Sequence, residues 1–242
     1  MLTAGVKFQV IRENLAYIRE AIAAACVKSG RAVSEVSLVC VSKNRSPEQV
    51  REVLAAGISD IGENKVQEAL EHYKALSAKG CELSAVRWHM IGHLQTNKVK
   101  AAVKLFDLIH SVDSLRLAAE IDKQALKINK VQDILIEVKT SPEESKSGIE
   151  SIGLPGLVNA VRGLKNVRLL GLMTMAPAGD APEKAGFYFR KLRELKERIN
   201  AAEGNNGFQH LSMGMSDDFQ AAIEEGSTIV RLGRLVFEGK IR

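Results

Sequence analysis

The residues able to do chemistry in this sequence fall into short clusters, each just after or inside an apolar run. Lys43 follows the run at residues 36–41. A lysine amine desolvated there and set near other cations would drop below its ordinary pKa of about 10.4 and could form a Schiff base with a carbonyl compound. The same position also suits a solvated loop lysine. Arg231 lies within the apolar run 228–232, where its five donors must all find partners. It could face a ring nitrogen or a phosphate, or pair with a carboxylate such as Glu63. Gly233 lets the backbone approach an anion closely, with the amides of the next turn as donors.

A third cluster is Leu211-Ser212-Met213-Gly214-Met215-Ser216-Asp217-Asp218. Ser216 can cap a following helix, whose positive end Asp217 and Asp218 would suit. Ser212 and Gly214 then remain for a phosphate. Met173, Met175, Met213 and Met215 form either ordinary core or padding for a flat aromatic ring. His89 reads as a satisfied core histidine or a pocket residue, and Asn64 as a helix cap or a pocket residue. No HxH or HExxH spacing assembles a metal site, so no metal is expected. Neither GxSxG, a P-loop nor a dinucleotide fingerprint occurs.

These clusters need a scaffold that brings strand ends together. Apolar runs at 36–41, 59–61, 86–91, 108–111, 134–138, 167–173, 208–211 and 228–232 read as strands. Helical patterns at 46–57, 66–78, 96–105, 115–127, 154–162, 183–202 and 217–225 fall between them, and residues 6–28 form an extra amphipathic helix at the start. This alternation predicts a single (β/α)8 barrel of the TIM type over residues 1–242, with the extra N-terminal helix on its outside or bottom. An open doubly wound sheet fits less well, because no GxGxxG follows the first strand. In a closed barrel the chemistry collects at the C-terminal ends of the strands, where the polar clusters fall.

Composition is that of a globular protein, with 45% hydrophobic and 26% charged residues. No apolar run is long enough to span a bilayer, and no signal pattern opens the chain, so a cytoplasmic protein is expected. Cys26, Cys40 and Cys81 are odd in number and far apart, which suggests reduced, packed thiols. The net charge of +5 allows an anionic small molecule. Its basic residues are interspersed with acids, which argues against nucleic acid.

Taken together, Val41-Ser42-Lys43, Gly62-Glu63-Asn64, Trp88-His89-Met90-Ile91-Gly92-His93-Leu94-Gln95, Glu144-Ser145-Lys146-Ser147-Gly148, Ser212-Met213-Gly214-Met215-Ser216-Asp217-Asp218 and Val230-Arg231-Leu232-Gly233 resemble the YggS/PROSC family, the pyridoxal phosphate homeostasis proteins. The likeness runs in order along nearly the whole chain. It implies a fold type III barrel like the N-terminal domain of alanine racemase, with pyridoxal 5′-phosphate as cofactor. By that resemblance Lys43 would hold the cofactor as a Schiff base and Arg231 would face the pyridine nitrogen. Ser212, with the backbone amides of Gly233 and Arg234, would hold the phosphate. Asn64, His89 and Met213, with Met215, would line the ring pocket. The sequence departs from the family pattern at Asn44-Arg45-Ser46, at Lys65 and around Arg234.

The resemblance implies a carrier that regulates and supplies pyridoxal phosphate, affecting amino-acid and keto-acid balance, with apo-enzymes as partners. The last strand lies close to Arg242, so the second domain that gives racemases a further acid/base residue is not expected. A non-catalytic monomer is therefore expected. The competing reading is a pyridoxal phosphate-dependent amino-acid racemase.

Overall fold

The computed structural model describes residues 4–141, 147–177, 179, 182–202, 204 and 207–239. Residues 144–146 of the Glu144-Ser145-Lys146 motif lie outside the described residues. The chain opens with α1 (Ala4–Lys28) and then alternates. The order is β1 (Ser37–Val41), α2 (Pro47–Ala55), β2 (Asp60–Glu63), α3 (Val66–Ala78), β3 (Arg87–Met90), α4 (Val99–Leu105), β4 (Leu108–Val112) and α5 (Leu115–Leu126). It continues with β5 (Gln132–Lys139), β6 (Ile149–Glu150), α6 (Leu154–Arg162), β7 (Val167–Met173), α7 (Pro182–Ala202), β8 (His210–Ser212), α8 (Phe219–Glu224), β9 (Ile229–Leu232) and α9 (Arg234–Phe237).

Eight of the strands close a parallel barrel in the order β1-β2-β3-β4-β5-β7-β8-β9, sealed by pairing of β9 with β1. Val39 and Cys40 of β1 lie opposite Arg231 and Leu232 of β9. The two-residue β6 pairs with the end of β5 beside the barrel. Sequence periodicity locates the barrel strands but misses β6 and α9, which are too short to carry a period. Local chemistry sets several helix starts. Ser46 accepts from the Gln49 N–H while the Gln49 side chain accepts from the Ser46 N–H, and Pro47 occupies the first helical position.

Strand alternation divides the interior into two kinds of core. Outward residues such as Cys40, Ile61, Trp88, Leu211 and Val230 pack under the helices, together with the fully buried Phe106, Phe189 and Phe208. Inward residues form a small apolar set, Val39, Leu108, Leu135, Met173 and Ile229, and share the barrel with buried polar groups. Helix α1 lies against the outside, packed on α8 and α9. Among the described residues, no helix is long and apolar enough to cross a membrane.

Candidate functional site

Lys43 stands on a tight turn. The Arg45 N–H donates to the Ser42 carbonyl at 3.0 Å, and Asn44 takes a left-handed φ of 59°, which asparagine tolerates better than most residues. The turn leaves Lys43 exposed, and its ammonium makes no hydrogen bond or ion pair among the described residues. The desolvation expected of a buried lysine is therefore not what the fold provides. It provides a fixed turn with a free amine.

Buried groups pin that turn from below. The Ser42 hydroxyl donates to Glu63 Oε1 at 2.5 Å, and both residues are fully buried. His72 of α3 donates from Nδ1 to the same oxygen at 2.6 Å and from Nε2 to the Arg45 carbonyl at 2.9 Å. Neither a carboxylate nor a carbonyl has a proton to give, so His72 carries both of its own and pairs with Glu63 as a cation. Burial pushes the His72 pKa down, but the hydrogen bond and charge of Glu63 outweigh it, and the net shift is upward. Glu63, considered in the sequence as a partner for Arg231, serves the Lys43 turn instead.

Beside Lys43 a cavity of about 530 Å³ opens at the C-terminal ends of the strands. Val41, Ile91, Met175 and Met215 give it apolar walls, and Asn64 adds an amide. At its polar end are Gly233, Arg234 and Ser216. The Gly233 and Arg234 N–H groups open α9, where no intrahelical acceptor exists for them. The Ser216 hydroxyl accepts from the Leu235 N–H at 3.2 Å and keeps its own proton for another acceptor. Ser216 thus serves α9, not α8 as the sequence suggested. Asp218 meets the Met215 N–H at 2.6 Å.

One glycine makes this mouth possible. A Cβ on Gly92 would sit 2.3 Å from the Asn64 carbonyl oxygen and 2.9 Å from its Cα, so the backbone leaving β3 lies directly on the residue that lines the cavity. Gly92→Ala is expected to cost about 1–3 kcal/mol, the usual weight of overpacking. The displaced backbone is that of Asn64, so urea unfolding should register the loss and ligand titration a weaker site.

Arg231 closes the cavity from below, only 3% exposed. Burial lowers its pKa to about 10, which leaves it a cation. Nη1 donates to Ser212 Oγ at 2.6 Å and Nη2 to the Thr174 carbonyl at 3.0 Å, while the Thr174 hydroxyl donates to the Val138 carbonyl at 2.8 Å. The nearby Glu137 is pushed up to about 7 by burial, against the pull of Arg231. At the rim, Arg234 pairs with Asp217, and Arg45 pairs with Glu238 while stacking over Phe237 at 4.7 Å.

Of the residues singled out in the sequence, Lys43, Asn64, Arg231, Gly233 and Arg234 line this one cavity, together with Met215. Ser212, Met213 and His89 do not. Strand β8 runs through Ser212, turning its side chain inward beneath Arg231 and the next residue, Met213, outward into the packed layer under the helices. His89 points into the barrel towards Asp60, and the next inward position of its chain, Ile91, is the one at the mouth. The sequence reading missed Ile91, Arg45 and Glu238, and it gave the mouth serine's place to Ser212 instead of Ser216.

Residues 9–240 match the family model described as the alanine racemase N-terminal domain. The chain is 48% identical over 225 residues to the pyridoxal phosphate homeostasis protein of Aquifex aeolicus, covering 93% of this chain and 96% of that one. Its fold superposes on PipY of Synechococcus elongatus, solved with pyridoxal phosphate bound, with a TM-score of 0.82 and 33% identity over 94% of this chain and 99% of PipY. Alanine racemase of Clostridium difficile shares the fold alone, with a TM-score of 0.72 at 13% identity, over 94% of this chain and 59% of the racemase.

Proposed function

Because the chain belongs to the alanine racemase N-terminal domain family, in company with the pyridoxal phosphate homeostasis proteins, we propose that it holds pyridoxal 5′-phosphate reversibly on Lys43 and hands it on. One observation carries this reading: a free lysine amine, a donor-rich polar end and a buried arginine face the same cavity. When bound, pyridoxal phosphate supplies an aldehyde that condenses reversibly with a primary amine. The Gly233 and Arg234 amides with the Ser216 hydroxyl bind the phosphate. Arg231, which can only donate, would hold the ring nitrogen as an unprotonated acceptor. Asn64 and the apolar Ile91, Met175 and Met215 line the cavity and would hold the ring.

The lining also favours a carrier over a catalyst. Among the described lining residues the sole carboxylate is Glu238, already paired with Arg45, and none is a histidine, tyrosine or cysteine. Lys43 is exposed, so water and recipient apo-enzymes can reach the tether. A cytoplasmic monomer that buffers pyridoxal phosphate, and through it amino-acid and keto-acid pools, is the role this arrangement serves. An absorbance spectrum of the loaded protein before and after borohydride, followed by peptide mapping, tests it. The expected adduct is on the Lys43 peptide; no adduct, or one elsewhere, overturns the reading.

A second reading, an amino-acid racemase, is favoured by Glu137, a buried carboxyl with the proton affinity of a general base, near Arg231. Deuterium exchange at Cα across a panel of amino acids separates the two. Rapid exchange with turnover would overturn the carrier reading.

A further inference from the structure

The barrel beneath the cavity contains a continuous line of buried polar side chains running from Arg231 to the opposite end. Arg231 Nη1 meets Ser212 Oγ at 2.6 Å, Ser212 Oγ meets His110 Nδ1 at 2.8 Å, and His110 Nε2 meets His89 Nδ1 at 3.0 Å. His89 Nε2 then meets Asp60 Oδ1 at 2.9 Å, and Arg87 reaches the same oxygen at 2.7 Å. Ser212 and His110 are fully buried, and Arg231, His89 and Asp60 nearly so. Each belongs to a different strand, β9, β8, β4, β3 and β2 in turn. Four buried polar residues below a ligand site carry a desolvation cost that apolar side chains would not.

We propose that Asp60, His89, His110 and Ser212 are positioning residues: a hydrogen-bond relay of a single direction that holds the Arg231 guanidinium in place at the cavity floor. The direction follows from the ends. Asp60 can only accept, so His89 donates from Nε2 and its Nδ1 accepts from His110 Nε2–H. His110 Nδ1 then accepts the Ser212 proton, and the Ser212 oxygen is left to accept from Arg231. Every donor and acceptor along the line is used once, with both rings neutral. A reversed line would make His89 a cation and have His110 donate to Ser212. The serine proton would then have no acceptor. The surroundings agree with the first arrangement. His110 is faced by His89, Arg231 and His210, and burial with these neighbours holds its pKa well below the ordinary value. Burial alone would raise Asp60, but the hydrogen bonds from His89 and Arg87 and the charge of Arg87 more than offset it and keep the carboxyl ionised.

The consequence is that Arg231 is held by more than its immediate neighbours. Ser212 is committed as an acceptor by a carboxylate three hydrogen bonds away, so the guanidinium cannot turn without breaking the line. The meaning of that for a pyridine nitrogen rests on the pyridoxal phosphate reading, but the relay itself does not.

The test uses the protein without cofactor. Long-range 1H–15N spectra of the imidazole rings in the wild type should show His89 and His110 both as neutral Nε2–H tautomers. Either ring in the Nδ1–H form, or His89 doubly protonated at neutral pH, overturns the proposal. In Asp60→Asn the new amide can donate or accept, so His110, which residue 60 does not touch, should become a mixture of tautomers. A folded Asp60→Asn with His110 unchanged also overturns it. In Ser212→Ala the Arg231 guanidinium protons should exchange about tenfold faster, the weight of one hydrogen bond to a charged group, with Ser212→Thr restoring slow exchange. If neither variant folds, the wild-type tautomers decide. A protein with the expected tautomers but no affinity for pyridoxal phosphate would refute the functional reading and leave the relay standing.

Discussion

Lys43→Ala is expected to abolish covalent retention of pyridoxal phosphate: no absorbance band of a lysine-bound cofactor, and no borohydride-stable pyridoxyl group on any peptide. Among the described residues lining the cavity Lys43 is the sole primary amine, and the arginines Arg45, Arg231 and Arg234 stay protonated and unreactive. The substitution is a clean one. Lys43 is exposed and makes no hydrogen bond or ion pair among the described residues, so the change in stability should stay within about 0.5 kcal/mol. The polar end and Arg231 remain in place, so equilibrium dialysis should still find weaker, non-covalent binding. A variant that retains a reducible lysine adduct would move the tether elsewhere.

Glu63→Ala should have the largest effect on stability, about 3–5 kcal/mol, because it removes the anion from a buried pair, leaves the His72 cation without its counter-charge and leaves the Ser42 hydroxyl only the longer 3.3 Å contact to the Gly62 carbonyl. Against the 5–15 kcal/mol of a typical domain, that is a large fraction. The pair also sets a pH dependence. The His72 pKa is raised on folding, so its contribution is fully present below the unfolded value of about 6.5 and is lost as pH rises through the higher folded value. Urea unfolding of the wild type and His72→Gln between pH 5.5 and 9 should show a stability difference that is largest at the acid end and shrinks upward. A constant difference would mean that His72 is neutral in the folded state. Since the pair also fastens the Lys43 turn, Glu63→Ala that still folds should hold the cofactor less well.

Much of this was legible in the sequence, for reasons that can be named. Helices α3 and α6 and strand β7 lie where periodicity puts them, because each carries a full period of one kind between clear turn residues. The positions of Lys43, Asn64, Arg231 and Gly233 followed from the rule that barrel chemistry sits at strand ends. The errors share one cause. A strand end misplaced by one or two residues exchanges inward for outward and one layer for the next. Strand β8 extends to Ser212, so Ser212 became interior and Met213 outer core, and the mouth serine proved to be Ser216. His89 was an inward residue one layer too deep. The partners of Glu63 could not be read at all, since His72 lies in the middle of α3 with no local motif pointing across to the Ser42–Arg45 turn.

The barrel closes where β9 pairs with β1, and the cavity straddles that seam, with Lys43 on one side and Arg231 and Gly233 on the other. The two halves of the site are therefore joined by about three-quarters of the length of the chain. During synthesis the lysine emerges early and waits for the arginine. Contacts of such long sequence separation are the slowest to form, so the binding site is among the last features to appear as the protein folds. A ligand that bridges the seam binds only the closed barrel and stabilises it by an amount that grows with the logarithm of its concentration. Loading would then act as a clasp, so that the rate at which the barrel opens along β1 and β9 reports whether the cofactor is aboard.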